Sequence, residues 1–334
     1  MEFIKQRAEL EQLVHDILKE ARQQGADQAE VSVSVEEGLG VSVRKGELET
    51  LEFNQDRGFG ITVQFGQRRG TASTTDSSVG AIKETVTAAK NIARFTEDDP
   101  FCGLADADLM PQQPVELDMY HPWLLDPEAA QQVAAECESA GLDVDARIVN
   151  SDGAQIGTQQ GIRVYGNSHG FVGSYASTRH SLSCVLIGED ANGMQRDYWY
   201  TVARSADELE SAVHVGQKAG ARTVARLAPK KAPTGTFPIM LAPQLASGLI
   251  GHLLGAISGG AQYRKASFLL DSVGQQVLPT WLSLQESPLL SRSLGGAYFD
   301  ADGVATRPNR FVDAGVLNSY VLSAYSARKL DLAT

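Results

Sequence analysis

Apolar residues recur every three or four positions at the start of the chain: Ile4, Leu10, Leu13, Val14, Ile17, Leu18 and Ala21, with Gly25 just beyond. That spacing is one face of an amphipathic helix, and a glycine past its last turn can adopt the left-handed backbone that closes it. The pattern then becomes alternating. AEVSVSVEEG, LGVSVRKG, LETLEFNQ and GFGITVQFG predict consecutive antiparallel strands, with GQRRG (66–70) as the turn after the last. Helical spacing returns at Val79, Ile82, Val86, Ala89 and Ile92, with Thr75, Asp76 or Ser77 as the candidate cap.

From Pro100 to Pro122 the chain is rich in Pro, Asp and Gln, which predicts a connector over the surface. Asp126-Pro127-Glu128 supplies an N-cap, a proline at the first helical position and an acid in the first turn of a helix ending at Gly141. VDARIVNSDG, GIRVYGNSHG, FVGSYASTRHSLSCVLIG and RDYWYTVAR predict a second sheet, followed by a helix over 207–227. Beyond a glycine-rich helix, the stretch YFDADGVATRPNRFVDAGVLNSYVLSAYSARKL predicts short strands around turns at Asp300–Gly303 and Asp313–Gly315. The expected fold is α+β in two domains. One is a helix, meander and helix over 1–122 that includes the connector from about 100. The other is a domain rich in antiparallel sheet over 123–334, which stops directly after a patterned strand and so reads as C-terminally incomplete.

Composition narrows the function. There are 29 basic and 41 acidic residues, a net charge of −12, which argues against general binding to nucleic-acid phosphates. The charge is uneven. Residues 1–150 hold 28 acids against 13 bases, whereas 211–270 hold seven bases and no acid. Lys218, Arg222 and Arg226 form a basic stripe at four-residue spacing, read as a solvated helix face, with nucleic-acid binding as the alternative. Cys102, Cys137 and Cys184 are far apart and lack a C-x-x-C pair, so neither a disulfide framework nor a cysteine zinc site is indicated, and a reducing cytoplasm fits best. The N-terminus has no signal-peptide core. The uncharged window 241–261 carries Pro243, Gln244, two serines and five glycines, against a membrane span.

Within the acid-free stretch, SGLIGHLLGAISGG (247–260) places Gly248, Gly251, Gly255 and Gly259 near one side of a helix. Each glycine costs about 1 kcal/mol relative to alanine there, so the series predicts close approach of another backbone, in the fold or in a docked chain. His252 sits among them on what reads as a buried helix. A zinc peptidase helix of the H-E-x-x-H type needs two imidazoles on one face and a glutamate to activate water. Here Leu253 follows His252, and Ala256 and Ile257 occupy the positions four and five further on. His252 therefore reads as a hydrogen-bonded core histidine, with no metal and no catalytic residue assigned. His169 lies in the turn Gly166-Asn167-Ser168-His169-Gly170, and His180 follows Arg179 eleven residues later. Neither comes with a third ligand or a nucleophile elbow. Asp300-Ala301-Asp302-Gly303 lacks the remaining ligands of a calcium loop and reads as a turn. Tyr263 and Arg264 close the glycine helix, where a cation complements the dipole or could hold a peptide carboxylate.

The segments GADQAEVSVS, VYGNSHGF, YASTRHSLS, RDYWYT, GLIGHLLGAISGGAQYRKASFLLDSVGQQVLP and AYSARKLDLAT, in this order along essentially the whole chain, resemble the PmbA/TldE family, also labelled modulators of DNA gyrase. The resemblance implies a cytoplasmic heterodimer with a homologous TldD-type subunit, acting as a zinc metallopeptidase on peptides and unfolded polypeptides. It implies that zinc sits in the partner, whose H-E-x-x-x-H helix matches 248–259 here without the His–Glu pair. It further implies that family members continue past the SARKL strand. Asn167, His169, Arg179, His180, His252, Tyr263 and Arg264 are then candidates for the peptide path or the subunit interface. The alternative is a regulatory protein-binding module, acting on a toxin–antitoxin or gyrase-related partner without proteolysis.

Overall fold

The computed structural model describes residues 2–333, with side chains from Gln6 onward, so the expected apolar position Ile4 lies outside the described side chains. Helix α1 (Glu2–Gln23) buries Leu10, Val14, Ile17 and Ala21, the face its periodicity marks, and Gly25 follows at φ 89°. The strands are longer and fewer than expected. LGVSVRKG continues AEVSVSVEEG as one strand, β1 (Gln28–Arg44), and LETLEFNQ runs into GFGITVQFG as β2 (Glu47–Phe65). The glycines inside them do not break the ladder. Gly38 lies against the neighbouring strand, where an added Cβ would sit 3.0 Å from both Gln159 Cγ and the Thr158 carbonyl oxygen. The turn at Gly66 is tighter than GQRRG, and Arg68 already begins β3 (Arg68–Thr74). Helix α2 (Val79–Phe95) is capped by Ser78, whose side chain accepts from the Ala81 N–H, instead of by Thr75, Asp76 or Ser77.

Helix α3 (Pro127–Leu142) starts as its sequence dictates, with Asp126 Oδ1 accepting from the Ala129 N–H at 2.7 Å. It leads to β4 (Ile148–Asn167), β5 (Val172–Asp190), β6 (Gly193–Ala203) and α4 (Ala212–Ala225). These strands do not make a second sheet. They extend the first, in the antiparallel order β3-β2-β1-β4-β5-β6, with Val33 of β1 flanked by Phe59 on β2 and Val164 on β4.

Alternation sorts this sheet into two unlike faces. On one face Val31, Val33, Val35, Phe59, Ile61 and Val164 pack under α1 and α2. The same face continues through Val41, Val43, Ala154, Ile156, Leu182, Cys184 and Leu186 under α3 and α4. Each fully buried aliphatic side chain contributes about 1.5–3 kcal/mol, so this face anchors the fold. Two glycines let helices touch down. A Cβ at Gly70 would lie 2.0 Å from the Ala89 carbonyl oxygen of α2, and one at Gly216 would lie 1.9 Å from the Cys137 carbonyl oxygen of α3. Among the described residues no helix packs on the opposite face, which presents Ser32, Ser34, Glu36, Gly161, Arg163, Tyr175, Ser177 and Arg179.

The remainder of the chain comprises α5 (Pro243–Ala256), α6 (Gly259–Tyr263), a small sheet of β7 (Leu284–Glu286), β8 (Asn309–Asp313) and β9 (Val316–Leu317), and α7 (Ala324–Leu330). Leu253, Ile257, Phe311, Val312 and Leu317 form its core. AYSARKL is helical instead of the expected strand. Ser323 and Ser326 form a reciprocal capping box at its start, and Asp331 closes it at φ 56°. The stretch from Pro288 to Val304 returns to the large sheet and crosses its helix-free face, where the Tyr298 hydroxyl accepts from the Ser174 N–H at 3.0 Å. The connector after α2 follows the surface but buries Leu117 and Met119, and the Met119 carbonyl accepts the Thr178 N–H. Cys102, Cys137 and Cys184 are free thiols.

Candidate functional site

The helix-free face of the sheet forms a floor, and the segment 294–297 passes over it. Between them lies a cavity of about 400 Å³, lined by Glu36 from β1, Gly161 and Arg163 from β4, Tyr175, Ser177 and Arg179 from β5, and Arg204 just beyond β6. The register explains the assembly. Glu36 pairs with Gly161, which pairs with Ser177, so this central row has small residues on two of its three strands. Glycine fits at 161 because a Cβ there would sit 2.8 Å from both the Val35 carbonyl oxygen and Glu36 Cγ of β1. Arg163 lies one row to one side of this floor and Arg179 one row to the other. A second cavity of about 390 Å³, containing Ser32, Ser34, Tyr165 and Phe299, shares Arg163, Tyr175 and Ala297 with the first.

Arg204 is 8% exposed and is held by three carbonyl groups: it donates to Thr178 O and Leu294 O at 2.8 Å each, and to Ser293 O at 3.3 Å. Burial, then the nearby charge of Arg179, lower its pKa from the ordinary guanidinium value. Arginine nevertheless stays charged at any physiological pH. Arg163 and Arg179 make no ion pair within the described residues. Alongside, Tyr165 donates to Glu30 at 3.0 Å, and Arg69 reaches the other Glu30 oxygen at 3.0 Å. Burial raises the Glu30 carboxyl above its usual range, partly offset by Arg69.

The expected site residues are not brought together. Asn167 is fully buried at the end of β4, where its side-chain oxygen accepts from the N–H of the exposed His169 at 3.1 Å and thereby shapes the hairpin turn. Arg179 faces the cavity. His180, its neighbour, points to the other side of β5, fully buried between Thr158 Oγ1 (2.8 Å) and the His121 carbonyl (2.9 Å), with Trp123 edge-on at 5.6 Å. Tyr263 packs edge-on against Tyr325 of α7 at 5.9 Å between ring centres, and Arg264 lies exposed beside the Tyr263 ring. Sequence reasoning missed Glu36, Arg163 and Arg204. Glu36 and Arg163 carried a legible signal, as charges on the strand face opposite the buried valines.

The glycine helix departs most from expectation. His252 is exposed instead of a hydrogen-bonded core residue, and a Cβ at Gly248, Gly251 or Gly255 would meet nothing within 4 Å. Close approach occurs only at Gly259, where a Cβ would lie 2.2 Å from Ser326 Oγ of α7. His252 borders a shallow cavity with Gly251, Gly255, Ala256, Ala266, Ser267 and Phe268. The sole hydroxyl in that set, Ser267 Oγ, donates to the Ala256 carbonyl at 2.7 Å. Zinc requires three or four nitrogen, sulfur or carboxylate ligands, and this donor set does not fit one.

A helix-backed antiparallel sheet with a roofed polar face, joined to a small α+β unit bearing a glycine-rich helix, defines the class of architecture. Solved proteins share it. The chain overlays a structure from Bacteroides thetaiotaomicron, described as a proposed modulator of DNA gyrase, with a TM-score of 0.91 at 25% identity, over 96% of this chain and 74% of that one. It also overlays TldE from Thermococcus kodakarensis, with a TM-score of 0.76 at 16% identity, over 96% and 72% of the two chains. In sequence it is 45% identical to Metalloprotease PmbA of Escherichia coli O157:H7 over 98% of this chain and 72% of the relative. It is 44% identical to a Metalloprotease PmbA homolog of Haemophilus influenzae over 98% and 73%. Residues 29–93, 120–227 and 234–334 match domain 1, the central domain and the C-terminal domain of the PmbA/TldA metallopeptidases. The chain belongs to the PmbA/TldA metallopeptidase family.

Among the described residues no helix is long and apolar enough to cross a membrane.

Proposed function

We propose that this chain is the non-metal subunit of a two-subunit zinc peptidase of the cytoplasm, shaping the path of peptides or unfolded polypeptides while a homologous TldD-type subunit holds the metal and performs hydrolysis. The observation that carries this reading is the surroundings of His252. On α5 it is the sole imidazole, its neighbours are glycine, leucine and alanine, and no carboxylate lies between Ser211 and Leu270 to activate water. Membership of a metallopeptidase family without that chemistry is what a positioning subunit would display. The roofed polar face of the sheet supplies the surface for substrate, and the exposed α5, with Leu245 and Leu249 facing solvent, supplies a surface for the homologue.

The test is to purify the chain alone, its TldD-type homologue alone, and the two mixed, and to follow cleavage of an unstructured peptide with zinc present. Cleavage by the pair that a chelator abolishes, with this chain alone inert and binding no zinc by elemental analysis, is the expected result. Cleavage by the isolated chain would overturn the assignment. A pair that associates but never cleaves would favour the regulatory binding module.

A further inference from the structure

We propose that the cavity between the helix-free sheet face and the segment 294–297 binds a carboxylate carried by a peptide, gripped by Arg163 and Arg179 above the central row of Gly161 and Ser177. The proposal rests on the peptide-handling reading of the chain and names the part of the peptide that this site takes.

Three guanidinium groups border the cavity against one carboxylate, Glu36. The excess positive charge stands out in a chain of 41 acids and 29 bases. Many of the chain's arginines find carboxylates, as when Arg69 pairs with Glu30, Arg222 with Asp197, and Arg292 with both Asp118 and Glu208, although Arg22, Arg57, Arg94 and Arg264 elsewhere on the surface also lack one within the described residues. Arg163 and Arg179 find none within the described residues. Arg204 does not relieve the imbalance, since its donors are spent on neutral carbonyls while its charge remains next to Arg179. Arg163 and Arg179 are solvent-exposed, so water screens their repulsion, and what they offer an anion is unspent guanidinium donors beside the buried charge of Arg204.

Geometry selects the anion. The two free arginines stand on opposite sides of a floor kept low by Gly161 and Ser177, and a planar guanidinium fork matches a planar carboxylate. About 400 Å³ suits one or two residues at a peptide end. Glu36 on the same floor repels a multiply charged phosphate more than a monoanion, and it offers an acceptor for a peptide N–H.

The carboxylate could be the C-terminus or an acidic side chain, and a direct binding experiment separates the two. An unstructured hexapeptide of Gly, Ser and Ala, labelled at its N-terminus with a neutral fluorophore, is made in three forms: free C-terminus, amidated, and amidated with one internal Glu. Fluorescence anisotropy with the whole chain follows binding at low salt. One or both carboxylate-bearing forms should bind about tenfold or more tightly than the neutral one, and the tighter form identifies the source. Arg179→Gln and Arg163→Gln should each remove that preference without altering the far-ultraviolet circular dichroism, and Arg179→Lys should restore part of it. Equal binding of the three forms, no binding of any, or an unchanged preference in both Gln variants overturns the site. Zinc-dependent cleavage by the mixed subunits is read separately. Selectivity without cleavage would sink the subunit reading alone, and cleavage without selectivity would sink the carboxylate site alone.

Discussion

Glu138 of α3 accepts the backbone N–H of Gly46 at 2.8 Å with one carboxylate oxygen, while its other oxygen takes the N–H of Lys45 at 2.9 Å. A helix 92 residues away thus holds the tight turn between β1 and β2, where both residues have positive φ. Glu138 is 1% exposed, so removing it would leave two amides without an acceptor. Glu138→Ala should lower stability by about 2–4 kcal/mol in urea melts. Glu138→Gln, which keeps one acceptor oxygen, should fall between the two.

Glycine-to-alanine exchanges should act in opposite directions at two helices. At Gly216 the new methyl would meet the Cys137 carbonyl at 1.9 Å, forcing α3 and α4 apart at a cost of about 1–3 kcal/mol. At Gly251 nothing lies within 4 Å, so the alanine should stabilise α5 by up to about 1 kcal/mol. Thermal denaturation of the two variants beside the parent measures both. A destabilised Gly251→Ala would mean that the outer face of α5 packs against something in solution.

His180 should make stability depend on pH. Burial lowers its pKa below the ordinary imidazole value, outweighing the hydrogen bond to the His121 carbonyl, and the His121 side chain adds a smaller push in the same direction. The unfolded chain binds this proton near pH 6.5, whereas the folded chain binds it only at lower pH. The unfolded state therefore holds more protons in that window, and the stabilising contribution, complete above about pH 6.5, is lost as pH falls. Urea midpoints from pH 7.5 down to 5 should decline in the parent, and the decline should be shallower in His180→Gln.

The basic stripe of α4 is tied to its own sheet. Asp197 of β6 accepts from Arg222 at 3.3 Å and lies 3.7 Å from Arg226, while Lys218 stands 3.7 Å above the centre of the Trp199 ring. Asp197→Ala should cost about 1–3 kcal/mol in chemical denaturation. With all three cations so engaged, the chain should not retain duplex DNA at about 0.15 M salt in a filter-binding assay.

Periodicity made α1 to α4 legible, because each buries one stripe against a sheet. Parity also separated the valines of β1 from Ser32, Ser34 and Glu36. What it could not convey is which strands are neighbours. The pairing of β1 with β4 joins residues more than a hundred positions apart, and nothing local in either segment specifies it. Glycines misled twice, as strand breaks where they admit a neighbouring side chain at Gly38, and as a packing seam on α5 where three of them face open space. AYSARKL misled because it follows the β-forming run Tyr320-Val321-Leu322 and, at seven residues, is too short to display a helical period. The arginine cavity stayed hidden for the same reason as the sheet order: Arg163, Arg179 and Arg204 converge only once register and the returning segment 294–297 are known.

The pairing of β1 with β4 runs without a register break through 14 positions, from Glu30 opposite Asn167 to Val43 opposite Ala154. Cutting the chain in the connector would therefore not release two tidy halves. Each piece would expose a long border of unsatisfied amides, valine-rich on the β1 side, the sort of margin that recruits other chains. Expression of residues 1–122 by themselves should yield aggregates, and adding back the remainder in trans should restore solubility by re-forming the missing seam.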